Sequence, residues 1–199
     1  EQTADYTQLM SASQTLIAEQ VLDAYPMSQH ACLLDVGGGD GTFLSAAARR
    51  WPALRLMLLD LPSVAERARE KLAAAGLAGR ARVVGGDFRH AALPAGADII
   101  SFVRVLHDHD DGTVNGLLRA ARGALAPGGT VLVAEPMSDT TGAGVVGDVY
   151  FAFYLMAMGR GRPRSADELK AMMRAAGLTR IESIATQLPL QTSLIIARA

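Results

Sequence analysis

The sequence predicts an α/β fold, a doubly wound Rossmann-like sheet that is mostly parallel, and three observations predict it. Short, near-continuous apolar runs suited to strands alternate with segments of helical periodicity along most of the chain. The first of these strands enters a glycine-rich turn and then a helix, the unit with which doubly wound sheets begin. Strands that are apolar on both faces need helices on both sides of the sheet, and right-handed crossovers put them there.

The elements follow in order. From Tyr6 to Tyr25 the apolar residues Leu9, Met10, Leu16, Ile17, Val21 and Leu22 recur at helical spacing, and Pro26 ends the pattern. Ala31–Val36 reads as a buried strand, Gly37–Gly41 as a tight loop and Thr42–Arg50 as a helix. A strand near Arg55–Asp60 precedes a helix opened by Pro62 and a Ser63/Glu66 capping box, and another strand lies near Arg82–Gly86. Strands near Asp98–Val103 and Thr130–Glu135 flank a helix from Thr113 to Leu125, with Pro127-Gly128-Gly129 as the turn into the second of them.

Val149–Met158 is a very apolar helix rich in aromatic and Met side chains. Ser165–Ala176 is a helix with a Ser165/Glu168 capping box and Gly177 as its stop. Thr179–Gln187 and Thr192–Arg198 are two strands with a short connection, which predicts an antiparallel C-terminal hairpin at a sheet edge.

Bulk properties narrow the function. At 199 residues, half of them hydrophobic and a fifth charged, the chain suits one packed globular domain. A net charge of -1 offers no general field for nucleic acid, and no apolar run is long enough to span a bilayer. The single cysteine, Cys32, allows neither a disulfide framework nor a multi-cysteine metal site, which suits a reducing cytoplasm.

Leu34-Asp-Val-Gly-Gly-Gly-Asp-Gly41 carries most of the chemistry. Glycines between a strand and its helix let a ligand approach the backbone, because no Cβ intervenes and positive φ is accessible. A dinucleotide fingerprint fails in every register: counting from Gly37 its last glycine is Thr42, from Gly39 it is Leu44, and from Gly38 the second glycine is Asp40. S-adenosylmethionine (SAM) lacks a pyrophosphate but carries an ammonium, so the acidic Asp35 and Asp40 suit it better. Asp60 ends the second strand, where a carboxylate can accept both ribose hydroxyls, the lesser alternative being a cap for the next helix. Asp87 and Phe88 follow the third strand, where an acceptor for an adenine amino group and an aromatic face for its ring are expected.

Five ordered motifs carry a family resemblance: Leu33–Gly41, Leu59-Asp-Leu-Pro62, Gly86-Asp-Phe88, Val105-Leu-His-Asp108 and Ala134-Glu-Pro136. Together they resemble the plant-type and bacterial small-molecule O-methyltransferases, over nearly the whole chain. The resemblance implies a class I methyltransferase sheet and SAM held by Asp35, Gly37, Gly38, Gly39, Asp60, Leu61, Asp87, Phe88 and Arg104. It makes His107 the general base, with Asp108 beside it and Glu135 orienting it. Physically this is coherent, since an alcohol is a poor nucleophile until its proton is removed, and a histidine can take that proton near neutral pH.

The sequence departs from the pattern at two points. Pro163 stands where plant members have a second glutamate, and Arg104 replaces the family's lysine, keeping the charge with a different geometry. His107-Asp-His-Asp-Asp111 is not read as a metal cluster, because adjacent side chains point apart. Arg160, Arg162 and Arg164 read as a solvated basic loop. In the family, the segment holding Phe151, Phe153, Tyr154, Met156 and Met158 lines the acceptor pocket; it reads equally as a core helix.

Gly147–Ser165 resembles bacterial carotenoid O-methyltransferases most, which implies a hydroxylated carotenoid as acceptor. A phenolic or polyketide hydroxyl, or a SAM-binding scaffold without activity, are the alternatives. The family's N-terminal dimerisation domain has no counterpart here, so residues 1–28 are expected to be its linker helix and 29–199 the catalytic domain of a homodimer.

Overall fold

The computed structural model describes residues 2–138 and 161–199, with side chains from residue 13 onward. The expected apolar helix over Val149–Met158 lies outside the described residues. Helix α1 (Gln2–Ala24) precedes strand β1 (Cys32–Val36), α2 (Thr42–Arg50), β2 (Arg55–Asp60), α3 (Pro62–Ala74), β3 (Ala81–Gly85) and β4 (Ala97–Val103). A single 3-10 turn (Leu106–Asp108) leads to α4 (Asp111–Ala124) and β5 (Leu125–Glu135). Helix α5 (Ala166–Ala175), β6 (Thr179–Ile184) and β7 (Ser193–Arg198) complete the described residues.

Seven strands form one sheet in the order β3-β2-β1-β4-β5-β7-β6. Neighbours from β3 to β5 run parallel, and the C-terminal hairpin joins antiparallel to β5, as expected. Alternate strand residues serve two cores. Leu34, Val36, Ile100 and Phe102 pack with α4 and α5, whereas Leu33, Leu58 and Ile99 pack with α1, α2 and α3. The order reverses at β1, whose neighbours β2 and β4 carry the chain to opposite sides, and crevices at such switch points hold ligands.

Helix ends show where sequence rules held. The α5 capping box is complete: Ser165 Oγ accepts from Glu168 N, and Glu168 returns an oxygen to Ser165 N. Gly177, at φ +84, closes that helix, with Leu178 N donating to Met173 O and Gly177 N to Arg174 O. The Ser63/Glu66 box does not form. Pro62, with its preset φ and missing N–H, is already the first helical residue, so Leu61 becomes the N-cap and Ser63 lies inside the first turn. Helix α4 starts at Asp111, two residues earlier than expected, because the Asp110 side chain accepts from Thr113 N.

Candidate active site

The glycine turn follows β1 and wraps the start of α2. Gly37, Gly39 and Gly41 have φ of +69, +58 and +81, a region that favours glycine. A Cβ on Gly37 would stand 2.8 Å from Val105 Cγ2, and one on Gly38 would stand 2.8 Å from Asp35 Oδ2. Gly39 has open space around it, so the turn presents bare backbone there.

This turn forms one wall of a cavity of about 210 Å³ lined by Asp35, Gly37–Gly39, Thr42, Phe43, Val103, Arg104, His107 and Asp108. Gln14 and Ile17 of α1 cover it. Of the expected site residues, Asp35, the three glycines, Arg104, His107 and Asp108 therefore meet around one space. Asp60, Leu61, Asp87, Phe88 and Glu135 stand behind or beside that lining.

Asp35 is buried at the end of β1 and accepts a hydrogen bond from Ser101 Oγ at 2.6 Å. Burial raises its pKa, the Ser101 bond opposes this, and nearby Asp60 adds repulsion; the balance sits at about 7. Asp60 organises the turn: Oδ2 accepts from Gly39 N at 2.8 Å and Oδ1 from Leu61 N at 2.7 Å. Each oxygen keeps a further lone pair for a hydroxyl. Asp40 accepts from Thr42 N and Thr42 Oγ1 and pairs with Lys71. Its expected part in binding an ammonium is not what its contacts describe.

Asp87 is engaged by Arg89, whose guanidinium and backbone N–H hold its carboxyl well below the usual range. Phe88 lies against Gly37 and meets the His109 ring edge-on, with centroids 5.3 Å apart. Leu61 is an exposed residue beside Asp60.

His107 and Glu135 come from different elements. Glu135 ends β5 and is 2% exposed, and its Oε1 accepts from Val105 N at 2.8 Å and Leu106 N at 2.6 Å. Its Oε2 lies 2.5 Å from His107 Nδ1. On the other side of the ring, Nε2 lies 3.2 Å from Asp108 Oδ1. Burial alone would lower the His107 pKa, but the charge and hydrogen bond of Glu135, helped by Asp108, outweigh it and hold it above the ordinary value. The carboxylate expected at position 163 is not available, yet the ring has a carboxylate at each nitrogen because Asp108 supplies the second.

Arg104 lines the cavity with φ +57, an unusual conformation for a non-glycine residue that stores backbone strain beside the site. Arg164 differs from expectation: it is 2% exposed rather than solvated. Four bonds occupy it, to Leu106 O, to His109 O and twice to Asp111 Oδ1. A buried guanidinium needs partners of this kind, and the folded-back Leu106–Asp111 loop provides them. Among the described residues no group of His, Cys, Asp and Glu side chains is placed to hold a metal ion. No helix there is long and apolar enough to cross a membrane.

A glycine turn at the sheet's switch point, with a carboxylate at the neighbouring strand's end and a carboxylate-bound histidine, belongs to the class I methyltransferase fold. A family model for the O-methyltransferase domain matches residues 1–179, and the chain belongs to that family. It is 47% identical over 197 residues to demethylspheroidene O-methyltransferase of Cereibacter sphaeroides, covering 99% of this chain and 52% of that protein. It is 39% identical over 194 residues to aclacinomycin 10-hydroxylase of Streptomyces purpurascens, covering 94% and 51%. The solved structure of PigF with S-adenosylhomocysteine superposes with a TM-score of 0.85 at 28% identity, covering 98% of this chain and 58% of that one. The chain spans about half the length of the curated relatives it matches.

Proposed function

We propose that this chain is the catalytic part of a SAM-dependent O-methyltransferase acting on the hydroxyl of a small apolar molecule, with His107 as general base. The observation that carries it is the 2.5 Å contact of His107 Nδ1 with buried Glu135, while the same ring lines the cavity walled by Gly37–Gly39.

The residues present fit the cofactor. A Cβ at Gly37 would strike Val105 and one at Gly38 would strike Asp35 and Leu58, Gly39 leaves open backbone in the cavity wall, Asp60 retains acceptor capacity, and Asp35 offers a buried carboxyl to an ammonium. Phe88 lies against Gly37, within reach of a ring held by the turn, and Arg104 brings a positive charge to the cavity. When bound, SAM supplies an electrophilic methyl on a sulfonium.

The protein's own residues do the rest. Glu135 accepts from Nδ1–H, which fixes the tautomer and puts the basic lone pair on Nε2, the nitrogen that takes the hydroxyl proton. Once His107 is protonated, Glu135 and Asp108 stabilise the imidazolium from opposite sides. Removing a base of this kind costs about 10²–10⁴ in rate. Holding the acceptor hydroxyl in line with the methyl group supplies the larger part of the acceleration.

The first acceptor to test is a hydroxylated carotenoid such as demethylspheroidene, by analogy with the Cereibacter sphaeroides protein. Phenolic and polyketide hydroxyls come second. The hydroxylase relative makes a second chemistry worth scoring in the same assay. Calorimetry with SAM and S-adenosylhomocysteine tests the cofactor, and methyl incorporation into the acceptor tests the reaction. An acceptor that gains oxygen instead of a methyl group, or full turnover by His107→Ala, would overturn the proposal. Light scattering of the whole protein tests the homodimer that the resemblance implies.

A further inference from the structure

The turn that carries His107 is held from two sides by groups of opposite charge. Below it, Glu135 accepts from the N–H groups of Val105 and Leu106. Above it, Arg164 donates to the carbonyls of Leu106 and His109, at 2.8 and 2.7 Å, which flank His107 in the chain. Asp111 supplies the counter-charge through bonds of 2.9 and 2.7 Å to the same guanidinium. Gly161 leaves no room for a side chain beside the turn: a Cβ there would come 2.2 Å from His107 O and 2.9 Å from Asp108 Cα. A Leu106, His107, Glu135, Pro136, Arg164 and Leu169 crevice closes between the two charged groups.

A buried charge that spends two of its four hydrogen bonds on backbone carbonyls of one turn fixes that turn's path. The planar fork of arginine suits this because its five N–H donors have set directions, which a lysine cannot reproduce. We propose that Arg164 is a positioning residue for His107: it holds the catalytic turn on Glu135 and so keeps Nε2 aimed into the cavity. Gly161 allows the close approach on which this clamp depends. The inference rests on the reading of His107 as the base.

The test is a set of variants in the whole protein. Arg164→Lys is expected to lower kcat for the methylated acceptor by about 10²-fold, the cost of a misplacement on the order of 1 Å, with the SAM dissociation constant changed by less than about threefold. In a His107→Ala background the same change adds less than about twofold, because residues acting as one unit are not additive. A merely structural Arg164 would multiply the loss instead, and that result overturns the inference. The ring nitrogens of isotope-labelled His107, read by NMR without any acceptor, are expected to report one Nδ1–H tautomer in the wild type and a mixture in Arg164→Lys.

Should Arg164→Lys not fold, Asp111→Asn keeps the arginine and removes its half-exposed counter-charge, which Arg162 shares. It is expected to lower kcat about threefold to tenfold with the same tautomer mixing, and wild-type values for both overturn the inference. A fast His107→Ala enzyme defeats the base assignment itself. A slow His107→Ala with a fast, single-tautomer Arg164→Lys defeats only the positioning role.

Discussion

Replacing Glu135 by glutamine tests the site with one atom changed. The geometry decides how the amide must sit. One end of the side chain faces two donors, Val105 N and Leu106 N, so the amide oxygen belongs there and the NH₂ faces His107 Nδ1. That NH₂ can only donate, so Nδ1 must become the acceptor and the ring proton moves to Nε2. The nitrogen that should take the hydroxyl proton then already carries one.

Loss of the correct tautomer and of the imidazolium's partner is expected to lower kcat/KM by about 10³–10⁴, or about 4–5 kcal/mol of transition-state stabilisation. The pH profile should change with it. In the wild type His107 is held above the ordinary 6.5, so activity rises with pH through an inflection above that value as the base form accumulates. In Glu135→Gln burial acts without its main opponent, and the inflection moves to lower pH. Methyl incorporation across a pH series measures both effects. Rates within about threefold of wild type with an unmoved inflection would refute the pairing as the source of basicity.

Further outcomes follow from the same geometry. The buried Asp35 has a folded-state pKa raised from 3.8 to about 7, so its stabilising contribution is complete below 3.8 and is lost as pH rises through 7. Asp35→Asn should therefore stabilise the cofactor-free protein at pH 8 by up to roughly 4 kcal/mol, with little effect at pH 4, in denaturant melts at both pH values. Near pH 7, SAM binding beside Asp35 should release up to about half a proton, read by calorimetry in buffers of different ionisation enthalpy; no release would count against an ammonium there. Gly37→Ala combines positive φ with a contact 2.8 Å from Val105 and should weaken SAM binding about tenfold or more by titration. Phe102→Ala, in the middle of the sheet, should cost about 3–5 kcal/mol in the same melts.

The parallel centre of the sheet was legible because β1, β2 and β4 are largely buried on both faces and therefore read as near-continuous apolar runs. The glycine turn was legible for a local reason: its backbone needs angles that few other residues adopt. What escaped the sequence is whatever depends on contacts between distant segments. Gln14 and Ile17 fit a helical stripe, but periodicity does not say which end of the sheet the stripe covers. Arg164 sits among arginines and a proline, and its burial depends on a loop more than fifty residues earlier folding back to meet it. Asp108 as the second carboxylate on His107 depends on the 3-10 turn, which compresses neighbours that a strand would splay apart.

The placement of β7 reaches further than its position at the end of the chain suggests. Its first residue, Ser193, is registered directly against Glu135, the last residue of β5. Glu135, the carboxylate in contact with His107, thus sits on a strand walled by β4 on one flank and by β7 on the other. Chain ends tolerate trimming in many enzymes; here, removing the last seven residues would strip β5 of a flank and leave Glu135 on an open border.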